Sequence, residues 1–243
     1  TALTDEQIGV KFEIKNTNDW KIKNARKRLR EDENWKNKLV LSSYRPFDSR
    51  PVYFSPAVVD RPRRELLEHV VGKKNLCLGI GRQGNAVQDL IWNLLYISED
   101  PMDSNIFRRG GINIFPLWLY PPSNDLDLRE QKHPNLSKSF LKSFSAGLDI
   151  SKINCADIFS FIKPEEIFYY IYAVLSSTTY RSRYADFLKI DFPRIPLPSE
   201  LNFFRSLSQY GEIIVNRTLM RSMKLASFRT SIVGNKNFEV EKV

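Results

Sequence analysis

The chain has 243 residues, of which 42% are hydrophobic and 12% aromatic. It therefore suits one large or two small globular domains and is neither a disordered tail, a collagen nor a coiled coil. Its 37 Lys and Arg residues outnumber its 28 Asp and Glu residues, which gives a formal net charge of +9 and indicates a polyanionic partner, most commonly nucleic acid.

The first part of the chain is predicted to form short strands and a helix. Residues 8–14 alternate apolar and polar side chains, which predicts a half-buried strand. Asp19 is placed to cap a helix over residues 20–30. Short strands are predicted at 39–44 and 52–54, on either side of a tight proline-containing turn.

The middle of the chain is predicted to contain a helix and two further strands. The helix runs over residues 62–71, because proline fits a first helical turn and Gly72 ends it. Residues 75–80 form an apolar run typical of a buried strand. Residues 112–120 are predicted to form a strand at a sheet edge or bulge, since Pro116 interrupts them.

The remainder is predicted to be a polar connection followed by helices. Residues 121–154 are rich in Ser, Asn, Asp, Lys and Pro, which predicts a long surface connection with one short helix near residues 136–144. The later predicted elements are a helix from Pro164, a helix over 180–188 capped by Thr178 or Thr179, an extended stretch at 189–198 and a helix from Ser199 through Leu207.

Together these elements predict a mixed α/β fold. Residues 1–122 are expected to form a mixed sheet with flanking helices, and residues 123–155 a surface connection. Residues 156–243 are expected to form a helix-rich segment that packs on the first part.

The composition also bears on the cell compartment. Cys77 and Cys155 form neither a disulfide framework nor a zinc pattern, and Cys77 is expected to be a small core residue. No stretch is long and apolar enough to span a bilayer, and the first residues lack the order of a signal peptide. We therefore expect a cytoplasmic protein without a membrane partner. The start at Thr1 rather than Met indicates a fragment of a longer protein.

A glycine-rich motif resembles the nucleotide-binding loop of some enzymes. Residues 79–84 match G-x-G-x-x-G, with Glu99 about twenty positions later, as in dinucleotide sites. No second strand–helix unit follows regularly, so a loop that presents Arg82 and Gln83 is the favoured interpretation. A nucleotide-cofactor enzyme that uses this loop is the less favoured alternative, and no cofactor is expected in this chain.

No other pattern predicts an active site. Glu13-Ile14-Lys15 resembles half of a metal-dependent nuclease motif, but a solvated strand face containing Lys11, Glu13 and Lys15 explains it better. His69 follows the apolar face of its helix and is expected to be structural. We predict neither catalytic nor metal-binding residues.

Basic clusters in loops and at helix starts predict contacts with DNA. Arginine suits bidentate contacts with phosphates or guanine edges, and Gln and Asn suit adenine. The expected DNA-facing residues are Arg61, Arg63, Arg64, Arg82, Gln83, Asn85, Arg108, Arg109, Arg181 and Arg183.

Three segments, in this order, resemble a known family. They are Tyr44-Arg45-Pro46-Phe47-Asp48-Ser49-Arg50, then Phe115-Pro116-Leu117-Trp118-Leu119-Tyr120-Pro121, then the stretch from Ile167 to Pro198. They resemble the C-terminal specificity region of Type ISP-like single-chain restriction-modification enzymes and adenine-specific DNA methylases. Arg61-Pro62-Arg63-Arg64-Glu65 falls where that family carries R-P-R-x-E.

The resemblance implies a target recognition domain that holds double-stranded DNA for a neighbouring methyltransferase, with nuclease and helicase-like modules in the same polypeptide. This chain contains neither N-P-P-Y nor F-x-G-x-G, the family motifs for the flipped adenine and S-adenosylmethionine. We therefore expect it to bind DNA in bacterial defence without catalytic machinery of its own. A basic module that binds protein or RNA is the alternative.

The role of the Tyr44–Arg50 motif stays open at this point. It is expected either to contact DNA or to lock the domain to the methyltransferase, and an ion pair of Asp48 with Arg45 or Arg50 is slightly favoured. Residues 169–175 are expected to be core rather than a base-stacking platform.

Overall fold

A computed structural model describes residues 3–55, 57–58, 63–81, 92–107, 111–121, 132–148, 150 and 158–221, with only the backbone of Arg64. Its elements are α1 (Asp5–Lys11), α2 (Ile22–Arg30), β1 (Leu39–Arg45), β2 (Asp48–Tyr53), α3 (Arg64–Leu67), β3 (Cys77–Gly81), β4 (Leu95–Ser98), β5 (Ile112–Pro116), β6 (Trp118–Leu119), β7 (His133–Pro134), α4 (Lys138–Gly147), α5 (Ile158–Phe161), α6 (Pro164–Ser176), α7 (Thr178–Arg183), α8 (Ala185–Ile190) and α9 (Leu201–Thr218).

The first element is a helix, so the strand predicted at residues 8–14 is wrong. Thr4 and Gln7 form a capping box, in which the Thr4 hydroxyl accepts a hydrogen bond from the Gln7 N–H and Gln7 Oε1 accepts one from the Thr4 N–H. The helix ends at Lys11, and Glu13 has a φ of 54°. Lys11, Glu13 and Lys15 therefore do not share a strand face.

The helix predicted at residues 20–30 is confirmed as α2, which begins slightly later. Its N-cap is Lys21 rather than Asp19, and Asn16 Oδ1 accepts a hydrogen bond from the Ile22 N–H at 2.8 Å. Ile22 and Ala25 are buried on its inner face.

The short strands predicted at residues 39–44 and 52–54 are present as β1 and β2, although β2 begins earlier, at Asp48. β1 and β2 pair antiparallel from Leu39–Tyr53 to Arg45–Asp48, and the turn between them holds Phe47 at a φ of 63°. The hairpin is attached to the rest of the fold through Ser43, whose hydroxyl lies 2.8 Å from that of Ser98.

The central sheet has three antiparallel strands in the order β4-β3-β5. The strand predicted at residues 75–80 is its middle strand, and every residue of β3 is buried. Cys77 pairs with Pro116 at one end of the sheet, and Gly81 pairs with Ile112 at the other. β5, which contains the predicted edge proline, lies at the edge of the sheet.

The helix predicted at residues 62–71 is only partly present. α3 makes a single turn, Arg64–Leu67, and the chain reverses at Gly72, which has a φ of 68°. Pro62, the expected start, lies outside the described residues.

The helical C-terminal part is confirmed with different boundaries. Ser177, rather than Thr178 or Thr179, caps α7, because its hydroxyl accepts a hydrogen bond from the Tyr180 N–H at 3.3 Å. The single predicted helix over 180–188 is split into α7 and α8. The last predicted helix is longer than expected and reaches Thr218.

A single large cluster of buried apolar residues joins the sheet to the helices. It includes Leu78 of β3, Ile97 of β4, Phe144 of α4, Leu175 of α6 and Phe204 of α9. The mixed α/β class with a helix-rich C-terminal segment is therefore confirmed. Within the described residues, no helix is both long and apolar enough to cross a membrane.

Candidate nucleic-acid interface

A surface groove of about 610 Å³ runs beside the edge strand β5. Arg63 lies at this groove with its side chain exposed, and it makes no ion pair with another described residue. Asn113 and Ser104 add polar groups to the lining, and Glu65 is the carboxylate among the lining residues. The groove thus offers an exposed guanidinium and an amide, which are the groups that contact phosphates and base edges.

The ends of two predicted DNA-binding loops meet beside this groove. Gly81, which precedes the stretch 82–91, pairs directly with Ile112, which follows the stretch 108–110. Because the pairing is antiparallel, the chain leaves β3 and enters β5 at the same end of the sheet. Several predicted contacts lie outside the described residues: Arg61, Arg82, Gln83, Asn85, Arg108 and Arg109.

A ring contact joins the groove lining to an aromatic cavity formed by residues 180–196. Phe115 packs edge-to-face on Phe192, with ring centroids 6.5 Å apart. Phe192 also lines a cavity of about 320 Å³ with Tyr184, Phe187 and Arg194. The Arg194 side chain is 92% exposed and lies 3.7 Å from the Asp191 carboxylate. An exposed guanidinium beside aromatic faces suits a ligand that combines flat rings with negative charge.

Hydrogen bonds hold this cavity in shape. The Tyr180 hydroxyl donates to the Arg194 carbonyl oxygen at 2.8 Å, and the Tyr170 hydroxyl donates to the Pro196 carbonyl oxygen at 2.8 Å. Burial raises the pKa of both phenols, so they remain neutral donors. Residues 169–175 lie within α6 and are largely buried, as expected for core.

The two predicted arginines of α7 have different surroundings. Arg183 is exposed and lines a cavity of about 370 Å³ with Tyr184 and Phe203. Arg181 is half-buried, donates from Nε to the Leu175 carbonyl oxygen at 2.7 Å and lies 5.5 Å from the centre of the Trp92 ring. Burial lowers its pKa. These contacts favour a structural role for Arg181.

The Tyr44–Arg50 motif is organised around one ring. The guanidinium carbons of Arg45 and Arg50 lie 3.9 Å and 4.1 Å from the centre of the Tyr44 ring. Arg50 also pairs with Asp48 at 2.9 Å, which confirms the favoured ion pair, and the hydrogen bond that Arg50 donates to the Asp48 carboxylate raises the pKa of Arg50. Both arginines are thus engaged within the hairpin.

The other candidate sites have structural explanations. A Cβ atom on Gly81 would lie 2.9 Å from Leu94 Cβ, and one on Gly79 would lie 3.0 Å from Ile112 Cδ1, so close packing in β3 favours glycine at both positions and most strongly at Gly81. His69 is structural, as expected, because its Nδ1 accepts a hydrogen bond from the Tyr120 N–H at 3.1 Å. No group of His, Cys, Asp or Glu in the described part of the chain is arranged to hold a metal ion.

Sequence reasoning missed Asn113 and Arg194 as interface candidates. Asn113 stands in a predicted edge strand, where an exposed amide is a recognisable signal. Arg194 lies between prolines in the predicted extended stretch 189–198. It is therefore an arginine in a loop, like the arginines that were chosen as DNA-facing residues.

Comparison with known proteins places the chain in a family. The model described as "Type ISP C-terminal specificity domain" matches residues 2–243. No curated protein matches the chain.

Three solved structures share its fold. The DrdV–DNA complex is 22% identical, with a TM-score of 0.57, over 77% of this chain and 16% of that one. The Type ISP restriction-modification enzyme LlaBIII bound to DNA is 21% identical, with a TM-score of 0.60, and the match covers 86% of this chain and 12% of that one. A nuclease-deletion mutant of the Type ISP enzyme LlaGI in complex with a DNA substrate mimic is 23% identical, with a TM-score of 0.52, and the match covers 90% of this chain and 15% of that one. The chain therefore spans a small part of each.

Proposed function

The chain belongs to the family of Type ISP C-terminal specificity domains, and from that premise we propose that it recognises a specific sequence in double-stranded DNA. In this role it is the target recognition domain of a restriction-modification enzyme. The observation that carries the proposal is the match of the specificity-domain model over residues 2–243. Three structural neighbours, all complexed with DNA or a DNA mimic, support the same partner.

The geometry of the β5 groove supports this role. A net charge of +9 favours a polyanion. Arg63 and Asn113 stand at the groove, and the chain leaves β3 and enters β5 beside it. Phosphate contacts would position the duplex, and a few arginine and amide contacts with base edges would specify the sequence.

The proposal also assigns chemistry to a neighbouring module. We propose that the parent enzyme is an adenine-N6 DNA methyltransferase that uses S-adenosylmethionine and acts in the cytoplasm, with nuclease and helicase-like modules in the same polypeptide. The order of the three family-like segments supports this. Adenine methylation at the selected sequence, in cells that produce the parent enzyme, would test it; methylation elsewhere or none would contradict it.

Sequence preference is the direct test of recognition. Duplexes with a random central segment are selected on the chain, and the selected duplex is compared with a scrambled duplex. We expect tighter binding to the selected duplex and a steep loss of affinity with salt, by orders of magnitude if six or more phosphates are neutralised. Equal affinity for both duplexes, or binding insensitive to salt, would contradict the proposal.

Arg82→Ala tests how the sequence is read. If Arg82 contacts a guanine, specificity relaxes at one base pair at a cost of about 1–3 kcal/mol. Lys142→Ala, a substitution of an exposed cation on α4, is the matched control and is expected to leave the preference unchanged. Equal weakening by Arg82→Ala on every sequence would place Arg82 on a phosphate instead.

A further inference from the structure

A second group of cations lies beyond the end of the central sheet where Cys77 pairs with Pro116. Lys73 and Lys132 lie over the rings of Tyr120 and Trp118, and Lys74 is the neighbour of Lys73 in the chain. We call these five residues the lysine surface. Trp118 follows β5 by two positions. The β5 groove is lined by residues 112–115 of the strand and by none of these five residues.

The aromatic rings position two ammonium groups of the lysine surface. Lys132 Nζ lies 4.3 Å from the centre of the Trp118 ring, and Lys73 Nζ lies 5.3 Å from the centre of the Tyr120 ring. Cation–π contacts of this kind attract a cation without neutralising it. The ammonium groups of Lys73 and Lys132 are thus held near the rings with their charge available.

No carboxylate in the described part of the chain pairs with these three lysines. By contrast, Arg50, Lys189 and Arg194 each have an aspartate partner. All three lysine side chains are exposed. Among the described residues, the lysine surface is therefore a local concentration of positive charge that no carboxylate pairs with.

The backbone beneath the lysine surface is held by one buried amide. Asn75 is 3% exposed, and its Nδ2 donates to the carbonyl oxygens of His69 and Trp118 at 2.8 Å and 2.7 Å. Its Oδ1 accepts from the Trp118 N–H at 3.0 Å. The Tyr120 hydroxyl adds a hydrogen bond to the Lys74 carbonyl oxygen at 2.6 Å. The lysines thus stand on a preorganised support, which lowers the entropic cost of binding.

We propose that the lysine surface binds the sugar–phosphate backbone of duplex DNA, at a contact separate from the β5 groove. The inference rests on the proposed function and adds a contact that carries affinity but no sequence information. Lysine is a point charge suited to phosphate, whereas base edges call for the bidentate geometry of arginine or amides.

The spacing allows both contacts on one duplex. β3 has five residues, so its ends are separated by about 13 Å, four intervals of about 3.3 Å. Phosphates repeat along each strand of DNA at about 3.4 Å. The two ends of the strand are therefore about four base-pair steps apart, a distance that one bound duplex can span.

The test is the triple variant Lys73→Ala, Lys74→Ala and Lys132→Ala, titrated with the selected and scrambled duplexes over a range of salt. We expect affinity for both duplexes to fall by a similar factor, about tenfold or more near 0.1 M salt. The slope of log affinity against log salt should become shallower by up to about 2.7, since each neutralised phosphate contributes about 0.9. The ratio of the two affinities should not change.

Two controls isolate the lysine surface. A triple variant at Lys23, Lys138 and Lys142 makes the same change in net charge at other exposed lysines and should retain most of the affinity. Replacing Lys73, Lys74 and Lys132 by arginine keeps the charge and should restore both affinity and salt slope. Thermal melting of each variant establishes that it is folded.

Separate outcomes overturn the two proposals. An unchanged salt slope in the triple alanine variant, or a loss equal to that of the control triple, overturns the lysine surface while recognition stands. A loss confined to the selected duplex would place the lysines on bases and also overturn it. Wild-type protein that binds both duplexes equally overturns sequence recognition, whatever the lysines do. Wild-type protein that binds no duplex overturns both.

Discussion

Arginines that are close together in the sequence have different surroundings in this fold, and α7 shows the physical reason. The Arg181 guanidinium is held between the Leu175 carbonyl oxygen and the Trp92 ring, whereas Arg183, two positions later, points to solvent. On a helix, residues two apart face different directions. Charge in the sequence therefore identifies a basic segment but not which guanidinium is available to a ligand.

This difference predicts unequal effects of two alanine variants on the free energy of unfolding. Arg181→Ala removes a charged donor from a half-buried carbonyl and should lower the free energy of unfolding by about 1–3 kcal/mol. Arg183→Ala should change it by less than about 0.5 kcal/mol, as expected for an exposed residue. Urea denaturation followed by circular dichroism measures both. Equal, small effects would show that the Arg181 contacts do not stabilise the fold.

A second residue-scale feature links stability to pH. The Asp32 carboxylate accepts hydrogen bonds from Lys38 Nζ at 2.7 Å and from the Tyr53 hydroxyl. The hydrogen bond from Lys38 is the main reason why the pKa of Asp32 lies below its ordinary value of 3.8. Because the folded pKa is the lower one, Asp32 stabilises the fold above pH 3.8, and this contribution is lost as the pH falls through the folded pKa.

Asp32→Asn should therefore alter the acid limb of the stability curve. We expect the variant to be less stable than the wild type at pH 6 and the difference to shrink as the pH falls below about 4. Urea midpoints measured between pH 2.5 and 7 test this, with Asp186→Asn, an exposed aspartate on α8, as the control. A difference that stays constant over this range would assign the effect to packing rather than to the carboxylate charge.

At the scale of elements, the crossing of α6 and α9 depends on a glycine in α9. Gly211 of α9 lies directly against the backbone of α6, where a Cβ atom would clash with the Tyr169 carbonyl oxygen and lie 2.6 Å from its carbon. The two helices therefore approach more closely here than any other residue would permit. The side chains that α9 buries along this contact include Phe204 and Val215.

Gly211→Ala should consequently destabilise the protein although alanine is the better helix former. The intrinsic gain of about 1 kcal/mol is outweighed by overpacking, which costs about 3 kcal/mol when backbone must move. Ser206→Ala, on the exposed side of the same helix, is the matched control and should be neutral. Thermal and urea unfolding give both values; a stabilised Gly211→Ala variant would mean that the helices can separate without loss.

The same scale shows which features could be predicted from the sequence. β3 and α6 were predictable because their apolar residues are largely the ones that they bury. The β1–β2 hairpin was predictable from strand-forming residues on either side of a proline-containing turn, although Leu39 and Leu41 of β1 are exposed. Residues 8–14 have strand-like alternation, yet Val10 and Phe12 are exposed, since no strand in the described part of the chain pairs with them and the Thr4–Gln7 capping box stabilises a helix. The hydrogen bonds that cap the helix thus decide the local structure, and the alternation of apolar and polar residues does not.

The candidate site was predictable only in part, for a geometric reason. Arg63 and Arg183 follow from composition and position in the chain. The groove beside β5 depends on the register that sets Gly81 opposite Ile112, and the engagement of Arg181 depends on Trp92. Both involve residues distant in sequence, and single-sequence patterns do not specify such contacts.

At the scale of the whole molecule, the sheet and the helical segment share one core. Leu78 and Ile97 from the sheet belong to the same buried cluster as Phe144, Leu175 and Phe204 from the helices. Side chains from both parts of the chain thus contribute to one buried cluster. Apolar surface left exposed in a separated fragment would remove the main term that stabilises folding.

We therefore expect the chain to unfold in one cooperative step and its fragments 1–122 and 156–243 not to fold separately. Calorimetry of the whole chain should give equal calorimetric and van't Hoff enthalpies. Each fragment should lack a cooperative melting transition, and mixing the two should restore one only if they reassociate. A fragment that melts cooperatively alone would show that it has a sufficient core of its own.

The hydrogen bond from the Trp92 indole N–H to the Gly81 carbonyl oxygen, at 3.0 Å, has a spectroscopic consequence. Trp92 is 1% exposed, whereas Trp35 is 48% exposed, so the first should emit at shorter wavelengths and be protected from iodide quenching, and the second should not. Gly81 is the last residue of β3. The shielded emission of Trp92 is therefore an intrinsic optical reporter, through which events at that end of the strand can be followed in real time without an attached dye.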